Sequence, residues 1–83
     1  MLTNDEMICQ VGLNIAYYRK LRKMTQKELA KTVGITRGYL GHIEAPNMVE
    51  AFSLYTVFDI ARALSIEPKL LFEFHGEGKD SAK

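Results

Sequence analysis

Apolar residues recur along this chain at spacings of three and four, the period of an α-helix with one buried face. Ile8, Val11, Ile15 and Tyr18 give such a face to a first helix predicted over residues 5–23. Thr3 or Asn4 caps it, and Asp5 and Glu6 suit the positive end of its dipole. Thr25 with Glu28 three residues on forms a capping box, so a second helix is predicted over Gln26–Val33, with Leu29, Ala30 and Val33 inward. Gly34 ends it in the left-handed conformation. Thr36 caps a third helix, Arg37–Glu44, with Leu40 and Ile43 inward. Gly38 and Gly41 each weaken that helix by about 1 kcal/mol relative to alanine, so packing must hold it. Pro46 stops it, and residues 45–52 read as a loop. Ser53 caps a fourth helix, Leu54–Leu64, whose stripe is Leu54, Val57, Ala61 and Leu64, with Phe58 and Ile60 alongside. Pro68 suits the first turn of a fifth helix carrying Leu70, Leu71, Phe72 and Phe74, the last two placed in or at the edge of the core. No stretch alternates apolar and polar long enough for a strand. The expected architecture is one all-α domain of five helices over residues 1–75, followed by a flexible polar tail, 76–83, with His75 exposed beside it.

Length and composition agree with this reading. Eighty-three residues, 47% of them hydrophobic, make one small globular domain, in which dimerisation would add stability. No apolar run approaches the roughly 18–20 residues of a membrane helix, and the acidic start of the chain is unlike a signal peptide. A cytoplasmic location without membrane partners is expected. The lone Cys9 forms no internal disulfide and reads as a small core residue. His42 and His75 lack neighbours at metal-ligand spacing, and no nucleophile–base grouping or phosphate-binding loop is present. Neither catalysis, metal nor cofactor is expected.

The distribution of charge changes the picture. The chain is only +1 overall. Residues 19–37, however, hold seven basic residues against the single acid Glu28, a net +6, whereas the remainder holds four basic and nine acidic, a net −5. One basic zone on an acidic domain is the footprint of a polyanion binder. Inside that zone lie two short helices joined by a glycine. Ala30 is small where they cross, Gly34 accepts a left-handed backbone at the turn, and Leu29, Val33, Ile35, Leu40 and Ile43 fill the angle between them. These are the steric demands of a helix-turn-helix.

The segments TQKELAKTVGITRGYLGHIE, YYRKLRK before it and FSLYTVFDIARALSIEPKLLF after it resemble the XRE-type helix-turn-helix family, the five-helix DNA-binding domain of phage repressors and Cro proteins, over about residues 11–74. The resemblance implies a third helix lying in the DNA major groove. Arg37, His42 and Gly38 then fall at base-reading positions, Arg37 suited to a bidentate contact with guanine and glycine offering only its backbone. Gln26, Thr36, Tyr39 and Asn47 fall at phosphate contacts, Gln26 also backing the recognition helix, and Arg22, Lys23 and Lys27, with Lys31, add sequence-independent attraction. Tyr39 is equally readable as half-buried core. Arg19 and Glu44 match a buried ion pair that ties the first helix to the end of the third. Dimer contacts are implied around the fifth helix and the preceding loop, at Pro68, Leu70, Phe74 and Met48. Ala45-Pro46 departs from the glycine that many members carry there. The implied function is a sequence-specific regulator of transcription, more a repressor than an activator. It would bind double-stranded DNA as a homodimer on an inverted repeat, with regulation through a protein partner possible. The alternative is a protein-interaction module of the same fold, an antirepressor or antitoxin, suggested by the two glycines that strip side chains from the reading helix.

Overall fold

Thr3 sets the start of the first helix: its hydroxyl accepts the Glu6 N–H at 3.1 Å, and the Glu6 carboxylate accepts the Thr3 N–H at 2.8 Å. This capping box opens α1, Asn4–Leu21, in the computed structural model, which describes residues 1–74. The expected exposed His75 and polar tail, 76–83, lie outside the described residues. α1 ends two residues before the expected 23, because Arg22 turns the chain and Lys23 takes a left-handed backbone, φ 60°. α2 (Gln26–Val33), α3 (Arg37–Glu44) and α4 (Leu54–Leu64) follow, as the sequence predicts. The fifth element is a 3₁₀ helix of five residues, Pro68–Phe72, not an α-helix. No strand occurs among the described residues.

α2, α3 and α4 also start at side-chain caps, Thr25, Thr36 and Ser53, each of whose hydroxyls accepts a backbone N–H three residues on. The core gathers Val11 and Ile15 of α1, Leu29 and Ala30 of α2, Leu40 and Ile43 of α3, Val57, Ile60, Ala61 and Leu64 of α4, and Leu71. Burying each larger side chain stabilises the fold by about 1.5–3 kcal/mol. α1 packs on α3 and on the 3₁₀ helix, and α2 lies between α3 and α4. Asn14 fastens the last segment to α1 by donating from Nδ2 to the carbonyls of Leu71 (3.0 Å) and Glu73 (2.8 Å).

Three apolar residues leave their expected places. Leu54 is 60% exposed, Phe58 41% and Phe72 39%. On α4 the inward stripe is Val57, Ile60, Ala61 and Leu64, which rotates Leu54 and Phe58 to the rim. In the 3₁₀ helix Leu71 takes the single core position and Phe72 points elsewhere, since adjacent residues cannot share a face.

Gly12 was not singled out by its sequence context. A Cβ there would overlap the carbonyl oxygen of Ile43 and stand 2.9 Å from its carbon. The residue is buried where α1 crosses the end of α3, and no side chain fits. The contact sets how closely α3 approaches the core.

Candidate nucleic-acid interface

The turn between α2 and α3 forms as its residues demand. Gly34 lies at φ 87°, ψ 28°, a left-handed conformation with no Cβ penalty, and its N–H closes on the Ala30 carbonyl at 2.8 Å. Ile35 bonds the same carbonyl at 3.0 Å. Thr36 then opens α3 by accepting the Tyr39 N–H at 3.0 Å. Among the described residues its hydroxyl donates to no acceptor, which leaves the proton for one such as a phosphate oxygen.

The far end of α3 is anchored by charge. Arg19 Nε and Nη2 donate to the two oxygens of Glu44 at 2.8 and 2.9 Å, and Nη1 donates to the Met24 carbonyl at 2.7 Å. Gln26 Nε2 donates to Glu44 Oε1 at 2.9 Å. Arg19 and Glu44 are 8% and 6% exposed. The planar guanidinium meets the carboxylate bidentately, and a further amide satisfies it, so the desolvation of both charges is offset. This cluster joins the C-terminal part of α1, the first residue of α2 and the last residue of α3. The ion pair that the family resemblance implies is present, and Gln26, which the resemblance places behind the recognition helix, bonds to it. The Gln26 side chain therefore acts as a buttress for α3. Its backbone stands in the first turn of α2, where N–H groups face outward.

The remaining expected contacts divide into two groups. Arg37 and Gly38, in the first turn of α3, are exposed. Arg37 makes no hydrogen bond or ion pair among the described residues. A Cβ on Gly38 would meet nothing within 4 Å. Lys27, Asn47 and Lys23 are exposed as well. Other residues are engaged within the protein. Tyr39 is half-buried and donates its hydroxyl to the Ala51 carbonyl at 3.1 Å. His42 Nδ1 stands 3.5 Å from Glu50 Oε1. Arg22 donates from Nε to the Leu64 carbonyl at 2.8 Å and from Nη2 to the Ser65 carbonyl at 3.3 Å. Its charge thus stabilises the negative end of α4. Glu50 carried no signal in the sequence, because a lone acid in a loop has no motif.

Of the expected dimer residues, Pro68 and Met48 are exposed, Leu70 is half-buried, and Phe74 packs against the core. Cys9 is half-buried, with Sγ 3.5 Å from the Met48 carbonyl. No group of three His, Cys, Asp or Glu side chains among the described residues is placed to hold a metal, and no described helix is long and apolar enough to cross a membrane.

Known proteins give the arrangement a family. Comparison with curated proteins yields no match. Among solved structures, the restriction-modification controller protein C.AhdI from Aeromonas hydrophila superposes with a TM-score of 0.70 at 31% identity, covering 78% of this chain and 96% of that one. A family model described as Helix-turn-helix matches residues 15–71, from the middle of α1 into the 3₁₀ helix. The chain belongs to the helix-turn-helix family, of the XRE type.

Proposed function

We propose that this protein is a sequence-specific DNA-binding regulator of transcription, acting as a homodimeric repressor on an inverted-repeat operator. The observation that carries the reading is the first turn of α3: Arg37 and Gly38 stand exposed and, among the described residues, unengaged, while the other end of the same helix is locked by Glu44. A recognition helix needs both properties, a rigid root and free tips. Arg37 then reads a guanine through O6 and N7. Thr36, the start of α2 and the lysines of residues 19–37 hold the phosphates. The likeness to a controller protein supports a regulatory role.

Two copies explain the exposed apolar rim of Leu54, Phe58 and Phe72. Paired on a two-fold axis, they would place two α3 helices about 34 Å apart, one helical turn of DNA. Occupancy of such a site over a promoter excludes polymerase.

The test is selection of duplexes from a random pool, followed by salt titration of the winner. The expected result is a palindrome with guanine in each half-site, whose affinity falls steeply as salt rises. Failure to enrich any sequence, with only weak salt-sensitive binding, would overturn the reading and favour a protein-interaction module.

A further inference from the structure

We infer that Glu50 is a positioning residue for base recognition: from the loop after α3 it holds the His42 imidazole so that Nε2, not Nδ1, meets the base edge. The inference rests on the DNA-binding reading above and names how one of its positions is read.

Tyr39 and His42 are three apart and share a face of α3. The loop runs beside that face. Ala51 accepts the Tyr39 hydroxyl at 3.1 Å, and Glu50 Oε1 lies 3.5 Å from His42 Nδ1. Earlier in the same loop, the Met48 carbonyl meets Cys9 Sγ of α1 at 3.5 Å. The bonds at Ala51 and Met48 fix the loop backbone on either side of Glu50. Its side chain is 33% exposed, while that of His42 is 57% exposed. A carboxylate beside a helix that approaches a polyanion adds repulsion, so its placement calls for a compensating role. A carboxylate only accepts, so the 3.5 Å approach favours the proton on the ring nitrogen that faces it. In the neutral imidazole Nε2 is then the acceptor. In the major groove an acceptor matches the amino groups of adenine and cytosine and mismatches guanine O6 and N7.

The experiment measures base preference at every operator position for the wild-type protein, His42→Ala, Glu50→Ala, Glu50→Gln and the double alanine variant. The expected result is one position per half-site where adenine or cytosine is favoured about tenfold. That preference disappears in both single alanine variants, and the double variant loses nothing more. Glu50→Gln relaxes it too, because an amide both donates and accepts and releases the tautomer. Two results overturn the inference: Glu50→Ala strengthens binding to all duplexes alike with every preference intact, or no preference depends on His42. A wild-type protein that selects no sequence is a separate outcome, which removes the DNA-binding reading and this inference with it.

Discussion

The two ends of this molecule use their apolar residues differently. In α2 and α3 the inward positions are filled and closed: Leu29 and Leu40 are fully buried, Ala30 and Ile43 nearly so, and the polar root at Glu44 is satisfied by three donors. Around α4 and the 3₁₀ helix, Leu54, Tyr55, Phe58 and Phe72 remain at the surface beside an apolar groove lined by Met7, Ile8, Phe52 and Phe74. One end is complete within a single chain. The other carries more apolar surface than the described residues cover, which on a small domain marks an interaction face. The half proposed to meet DNA must be rigid alone, since base reading tolerates little displacement. The half proposed to meet a second copy need only be rigid once paired.

The closed end breaks hardest. Glu44→Ala leaves the Arg19 guanidinium buried without its counterion and the Gln26 amide without its acceptor. The expected loss is about 3–5 kcal/mol of unfolding free energy, read by urea denaturation. Arg19→Met combined with Glu44→Leu removes both charges, so most of that loss is recovered. A double variant as unstable as Glu44→Ala would show that the ion pair itself, and not the orphaned charge, carries the stability.

The open end is probed by Phe58→Asp. The side chain is 41% exposed, so the isolated fold loses about 1–2 kcal/mol, part of what full burial of a phenylalanine contributes, and stays folded. A charge on an apolar rim disrupts pairing of copies, and sedimentation should then show a monomer. Losing simultaneous engagement of two half-sites lowers operator affinity by about 10²–10⁴-fold. A wild-type protein that is already monomeric at tens of micromolar would show that a second copy does not cover this rim.

These contrasts mark what the chain states about itself and what it leaves out. The α2–α3 turn was legible because its requirements are local: two threonine caps, a small residue at the crossing and a glycine at φ 87° all lie within a dozen positions. The Arg19–Glu44 pair was reached through family resemblance, since partners 25 residues apart give no local signal. Gly12 gave none either, because its role depends on a carbonyl 31 residues away. Around Leu70–Leu71–Phe72 three adjacent apolar residues carry no periodicity, so nothing in the pattern chose Leu71 for the core over Phe72. Arg22 looked like any cation in a basic zone until the end of α4 arrived beside it.

Arg37→Ala probes the free tip of the closed end. The side chain is exposed and has no described partner, so unfolding free energy should move by less than about 0.5 kcal/mol. Discrimination at one guanine should fall by about 1–3 kcal/mol, measured by competition between the operator and a duplex altered at that pair. Uniform weakening on all duplexes, with a shallower salt slope, would reassign Arg37 to a phosphate.

The smallest effect has opposite signs on the two sides of the same helix. Gly38 stands in open space, so Gly38→Ala introduces no clash and removes the entropic penalty of glycine in a helix. The fold should gain up to about 1 kcal/mol in thermal or urea unfolding. If the bare backbone at this position lets α3 approach the groove closely, the added methyl weakens operator binding while the protein becomes more stable. Stability and affinity moving in opposite directions would place Gly38 at the DNA surface. A variant that is more stable and binds as well as wild type would mean that this position faces an unread base pair, leaving recognition to Arg37 and His42.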